Sequence, residues 1–171
     1  MSHSMMNKIL VTHYSLTGHT GRIAEAVAAK CDADIEAVQD LKDRAGFWGY
    51  CRSAIEAVRE REAEIKPAKH NPQSYDLVIL GTPVWVGRLS SPMRAYIGAQ
   101  RDRFKQVAFF CCEGGSGAEK VFQQMTDLCG RQPVSTLIIR DRDIKAGTFH
   151  PLVDEFAGKL NLARIKLKPV A

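Results

Sequence analysis

Residues 13–20 read HYSLTGHT and set Ser15, Leu16, Thr17, Gly18, His19 and Thr20 between an apolar run, KILV, and the helical pattern GRIAEAVAAK. Small hydroxyls around a glycine at the start of a helix suit the cradling of a phosphate. The first turn of a helix exposes unpaired N–H groups and the positive end of the dipole, so an oxyanion is stabilised there. Gly18 permits a turn that a side chain forbids and lets the backbone approach a ligand, while His19 and Arg22 can add charge. One hydroxyl would suffice as a helix cap; Ser15, Thr17 and Thr20 exceed that need. The GK[ST] ending of a P-loop is missing, and so is the GxGxxG of a dinucleotide site.

Two further stretches carry residues suited to a ring. In GTPVWVGRLSSP, residues 81–92, Trp85 is expected mid-loop between Pro83 and Gly87. A Trp there can stack on a heteroaromatic ring, or fold back to plug the gap between helix and sheet. Ser90, Ser91 and Pro92 make a helix cap and first turn without any ligand. In CCEGGSGAE, residues 111–119, the glycines around Ser116 can turn backbone N–H and C=O groups toward the polar edge of a ring. A plain strand-to-helix turn capped by Ser116 or Gly117 is the other reading.

No general acid or base stands out. Tyr14, His19 and Glu113 flank these stretches, each with an ordinary role in packing, phosphate contact or surface charge, so the catalytic residue stays unassigned. The five cysteines, Cys31, Cys51, Cys111, Cys112 and Cys129, form no CxxC and are expected as buried reduced thiols. Alternation points the adjacent Cys111 and Cys112 to opposite faces of a strand, and no metal site is supported. A cysteine-dependent phosphatase needs an arginine six residues after its loop cysteine, where Gly117 and Ala118 stand.

What positions these stretches is a regular alternation of strands and helices. Strands are predicted at 8–13, 33–38, 75–80, 106–111 and 134–139. LVIL, VAFF and LII are continuous apolar runs, as parallel strands covered on both faces require, whereas 33–38 alternates and suits an edge. Helical spacing marks 20–31 through Ile23, Ala24, Val27, Ala28 and Cys31. It marks 46–62 through Phe47, Cys51, Ile55 and Val58, with REREAE closing that helix. Met93, Tyr96 and Ile97 mark a third helix, and Val121, Phe122, Met125 and Leu128 a fourth. Leu152, Phe156 and Leu160 mark the last, which begins about ten residues after the final strand. Right-handed crossovers then place helices on both faces of a doubly wound α/β sheet. Such sheets bind ligands beyond the carboxyl ends of their strands, where all three stretches fall.

The 171 residues suit one domain, read as 7–168, with 1–6 a flexible N-terminus. A formal net charge of +5 is spread along the chain without aromatic interleaving, which argues against a nucleic-acid partner. No apolar run reaches membrane-spanning length and MSHSMMNK lacks a secretion-signal core, so a cytoplasmic location is expected.

Together, ILVTHYSLTGHTGRIAEAVA, YDLVILGTPVWVGRLSSPMRAYI and VAFFCCEGGSGAEKVFQQM resemble the phosphate signature and the second and third flavin loops of the flavodoxin family. The likeness covers nearly the whole chain from about residue 7. It implies a three-layer, flavodoxin-like α/β fold with a five-stranded parallel sheet ordered 2-1-3-4-5, and non-covalent FMN. By that likeness Ser15, Leu16, Thr17, Gly18, His19 and Thr20 hold the phosphate. Thr82, Pro83, Val84, Trp85 and Gly87 lie against the isoalloxazine, and Glu113, Gly114, Gly115 and Ser116 border its pyrimidine edge. FMN supplies the redox chemistry, the protein position and electrostatics. Three departures stand out. The third loop lacks the second stacking aromatic of many flavodoxins, and the extra length lies around 41–70. Arg88, close to the ring, is expected to favour the reduced anionic flavin by on the order of 1 kcal/mol.

The chain is therefore expected to transfer electrons through FMN to or from a redox partner protein. The other reading is an NAD(P)H- or quinol-linked oxidoreductase with a small acceptor such as a quinone. A signalling receiver on a similar sheet is excluded. It needs acidic residues after the first strand and an Asp ending the third, where His13 and Tyr14, then Leu80 and Gly81, stand.

Overall fold

The computed structural model describes residues 8–166. Its strands are β1 (Ile9–His13), β2 (Asp34–Ala37), β3 (Leu77–Trp85), β4 (Arg88–Leu89), β5 (Val107–Glu113) and β6 (Thr136–Arg140). The helices are α1 (His19–Cys31), α2 (Gly46–Val58), α3 (Ser91–Gln100), α4 (Ala118–Cys129), α5 (Asp141–Ala146) and α6 (His150–Lys166). Five strands run parallel in the order β2-β1-β3-β5-β6, the expected 2-1-3-4-5 once the two-residue β4 is set aside. β4 folds back antiparallel on the end of β3.

A strand's period of two sorts the core into two halves. Ile9, Val11, Ile79, Phe110 and Cys112 share one cluster with α1 and α6, while Leu10, Leu80, Phe109 and Cys111 share the other with α3 and α4. The neighbouring thiols thus face opposite ways, each free and buried. β2 is the edge strand, with only Glu36 of its four residues buried. In register, Gly81 lies between His13 and Phe110. A Cβ on Gly81 would come within 2.0 Å of Phe110 Cζ, so that ring uses the room left by the missing side chain.

Several expectations are corrected. β3 continues through residues 81–85, so Trp85 ends a strand rather than sitting mid-loop; Val84 and Trp85 pair with Leu89 and Arg88. α5 starts directly after β6, where the sequence reads as loop, and Asp141 and Asp143 suit its electropositive first turn. α2 ends at Val58 and turns Ser53 and Ala57 inward, leaving Ile55 and Val58 each 51 % exposed and Cys51 only half-buried. The Phe47 side chain, residues 1–6 and the outer ends of 7–168 lie outside the described residues.

The extra length forms an excursion between Asp40 and Ile65, which close its base as an antiparallel bridge. Leu41 N–H donates to the Glu64 carbonyl at 2.9 Å and Lys66 N–H to that of Gln39 at 2.8 Å. Beyond it, the Glu36 carboxylate accepts from the N–H groups of Lys69 and His70, laying that segment along the exposed edge of β2.

Candidate functional site

β1 delivers the 15–20 turn to the carboxyl rim of the sheet. Gly18 is the N-cap of α1 with φ 90°, the left-handed region that glycine enters at least cost. Ser15 Oγ is buried and has no hydrogen-bond partner. Gly21 leaves room beside it, since a Cβ there would stand 3.7 Å from Ser15 Oγ and 3.5 Å from His13 Nε2. A buried, unbonded hydroxyl beside the positive end of a helix is a group that an oxyanion satisfies. His13 Nδ1 is likewise buried without a partner, and burial lowers the pKa of that imidazole to about 4, so the ring is neutral near pH 7. His19 Nδ1 lies 3.4 Å from Asp141 Oδ1 and ties the turn to α5. Arg22 also reaches α5, donating to the Ile144 carbonyl at 2.9 Å.

The second stretch is braced from below. Thr82 is fully buried, and its Oγ1 bonds Ser90 Oγ at 2.8 Å and donates to the Pro83 carbonyl at 2.9 Å. That anchor sends Pro83, Val84 and Trp85 to the rim. Val86 and Gly87 turn the hairpin with φ of 51° and 67°, a geometry that glycine accepts and a β-branched residue strains to hold. Gly87 meets Gly117, the N-cap of α4, so closely that a Cβ on Gly117 would lie 2.6 Å from Gly87 Cα. The second and third stretches therefore touch backbone to backbone.

The third stretch differs most from the sequence reading. Glu113 is buried, and its Oε2 accepts from Ala118 N–H at 3.0 Å. It satisfies the first turn of α4 rather than lying on the surface. A Cβ on Gly114 would stand 3.3 Å from Asp141 Oδ2, so α5 crowds this loop.

One cleft of about 270 Å³ gathers the first two stretches. Leu16, Thr17, His19 and Thr20 line it from the turn, and Pro83, Val84, Trp85 and Val86 from the hairpin. Cys112 and Asp141 complete that side. Ser15, Gly18, Thr82, Gly87 and residues Glu113, Gly114, Gly115 and Ser116 stand outside this lining. The remaining wall is α2, through Tyr50, Ser53 and Ala54, which sequence reasoning missed. The helix itself is expected from its apolar spacing, but nothing in that spacing, beyond the extra length around 41–70, marks it as a wall of the cleft. A hollow of about 420 Å³ adjoins on the far side of Leu16, Thr17 and Tyr50, bounded by Tyr14, Lys42 and Arg44.

Trp85 is fixed by two neighbours. The Tyr14 ring meets it edge-on at 5.5 Å, and the Arg44 guanidinium lies 5.3 Å from its ring centroid. Arg44 is buried and donates to Asp40, to Ser53 Oγ at 3.2 Å and to Glu56 at 2.6 Å. Burial opposes its charge, yet the hydrogen bonds and charges of the two carboxylates outweigh that and raise its pKa. Arg88, expected to act as a cation beside the ring, is instead paired with Glu60 at 3.1 Å. Neither guanidinium near Trp85 is left uncompensated. Below them burial pushes the Cys112 thiol up to about 12, against a hydrogen bond from Thr20, so it stays protonated. The arrangement is an apolar slot with an aromatic wall and hydroxyl groups at the start of a helix. A flat ring bearing an anionic tail has the complementary shape and chemistry.

Among the described residues no cluster of His, Cys, Asp and Glu is placed to hold a metal ion, and no helix is long and apolar enough to cross a membrane. Residues 8–137 match the protein family described as flavodoxin. A curated relative, the NAD(P)H dehydrogenase (quinone) of Cupriavidus metallidurans, is 31 % identical over 92 residues, which are 54 % of this chain and 46 % of that protein. The chain thus spans about half the length of that relative. A flavoprotein from Lactobacillus acidophilus, crystallised with FMN, superposes with a TM-score of 0.68 over 82 % of this chain and 97 % of its own, at 20 % identity. Oxidised flavodoxin 2 of Bacillus cereus gives 0.55 over 91 % and 99 %, at 17 % identity. At such identities the likeness speaks to the fold.

Proposed function

The chain belongs to the flavodoxin family, and from that premise we propose that it holds FMN without a covalent bond and transfers electrons through it. One observation carries the reading. Thr17 and Thr20 of the turn line the same cleft as Pro83, Val84 and Trp85, and Ser15 keeps an unbonded buried hydroxyl beside that turn. In this reading Ser15, Thr17 and Thr20, with the N–H groups of residues 16–20, take the phosphate. Pro83, Val84, Trp85 and Gly87 take the isoalloxazine, and the backbone of Gly114, Gly115 and Ser116 its pyrimidine edge. Bound FMN supplies the acceptance and release of one or two electrons. The chain's own residues bind, orient and shield. The Arg44 and Tyr14 contacts hold the Trp85 ring, Thr82 and Ser90 fix the hairpin beneath it, and the protonated Cys112 adds no negative charge to the cleft.

Calorimetric titration of the apoprotein with FMN tests this reading, with one FMN taken up per chain as the expected result; no uptake overturns it. Photoreduction of the complex, followed by visible absorbance, then separates one-electron from two-electron behaviour. The named relative favours a second reading, an NAD(P)H-linked reductase of a quinone, over a carrier between partner proteins. Rapid NAD(P)H turnover with a quinone selects the enzyme, and none with either nucleotide selects the carrier.

A further inference from the structure

We propose that Tyr50 of α2 is the second aromatic side chain of the ring site, supplied by the 41–64 excursion in place of the third stretch. The inference rests on the FMN reading above. Residues 111–118 contain no aromatic, so the loop that borders the ring's polar edge cannot cover its face. Tyr50 and Trp85 line the same cleft, one from a helix and one from a strand end. Tyr50 is 65 % exposed, so its ring is open to a ligand rather than committed to the core. Ser53 and Ala54, three and four residues on, share its side of the helix and line the cleft with small side chains. A large planar group thus has both an aromatic surface and room beside it.

The placement of α2 makes this more than proximity. The helix is held to Trp85 by the Arg44 guanidinium, which bonds Ser53 and Glu56 of α2 while lying over the Trp85 ring. Glu56 passes the connection to α3 by accepting from Ser91 Oγ at 3.0 Å. Gly49 brings the helix down onto that junction, for a Cβ there would lie 2.1 Å from the Arg44 carbonyl oxygen. Its neighbour Tyr50 therefore leaves the helix at a place set by the same buried charge that sets Trp85. Two aromatic positions, far apart in sequence, are referred to one guanidinium.

The test compares wild-type protein with Tyr50→Ala, Tyr50→Phe and Arg52→Ala, the last an exposed α2 residue outside the cleft lining. FMN affinity and the fluorescence of bound FMN are measured, with apoprotein thermal denaturation alongside. Tyr50→Ala is expected to weaken FMN roughly threefold to tenfold, the factor an aromatic contact contributes, and to brighten the bound flavin by removing a stacking quencher. Tyr50→Phe and Arg52→Ala keep wild-type affinity, and all apoproteins melt together. Unchanged affinity and fluorescence in Tyr50→Ala, with wild-type protein binding FMN normally, overturns the role of Tyr50 and leaves the FMN reading standing. An equal loss in Arg52→Ala assigns the effect to α2 as a whole and also overturns it. If the wild-type protein takes up no FMN, both readings fall together.

Discussion

His13 and Ser15 stand two residues apart, and each buries a polar atom without a partner, with opposite consequences. For His13 the cost falls on the charged form. Its pKa drops from 6.5 to about 4 on folding, so between those values the unfolded chain binds a proton that the folded chain refuses. Stability therefore rises with pH across that window, and acidification from pH 6.5 to 4 removes about 3 kcal/mol through this one group. Urea denaturation of wild-type protein and His13→Leu at stepped pH checks it: the wild-type curve falls more steeply over the window, and parallel curves contradict the assignment. Ser15 carries its polarity toward a ligand instead. Ser15→Ala removes a hydroxyl that bonds nothing, so apoprotein stability is expected to stay within about 0.5 kcal/mol. The same change weakens FMN about tenfold or more, as loss of a hydrogen bond to a charged group does. A Ser15→Ala protein that melts far earlier, or binds FMN unchanged, rules out a phosphate contact.

At the scale of elements, the parts legible in the sequence are those whose partners are apolar. LVIL and VAFF announce buried parallel strands because both faces of the sheet meet hydrocarbon, and the hydroxyl-rich turn announces itself through Gly18. The α2 helix was not legible in the same way. Its inward side is closed by Arg44, Ser53 and Glu56, residues that periodicity assigns to solvent, while Ile55 and Val58 face out. The two-residue β4 and the polar DRDIKA of α5 carry no apolar period at all. This polar closure predicts an asymmetry. Arg44→Met leaves Asp40 and Glu56 facing each other without their cation and costs about 3–5 kcal/mol, whereas apolar replacement of all three restores most of it. Chemical denaturation of the single and triple variants decides, and a triple variant no more stable than the single one defeats the argument. The sheet offers a contrast in which packing alone decides. Gly81→Ala drives a methyl group into the fully buried Phe110 ring and is expected to cost about 3 kcal/mol, roughly 6–12 °C in Tm. Full rescue by Phe110→Leu would identify that ring as the cause, and no rescue would place the cost elsewhere.

For the whole molecule, charge acts differently at long and at short range. The chain carries a formal +5, and an FMN phosphate removes up to about two of those charges, so the loaded protein stays positive at a distance. At the cleft the balance is not positive: Arg44 faces two carboxylates, Arg88 pairs with Glu60, and His19 lies against Asp141. An anionic acceptor is therefore drawn toward the molecule but meets no Lys or Arg among the described residues that line the slot, while a neutral ring enters without that conflict. Long-range attraction is the component that salt screens, its reach falling from about 30 Å at 0.01 M to about 10 Å at 0.1 M. Reoxidation of the reduced FMN-loaded protein by ferricyanide, an anion, should consequently slow several-fold between about 0.01 and 0.2 M salt. Reoxidation by an uncharged quinone should change by less than about twofold over the same range. Stopped-flow absorbance gives both rates on one sample. Should ferricyanide accelerate with salt instead, the carboxylates at the rim would outweigh the net charge, and the field felt by an approaching acceptor would be set by the cleft alone.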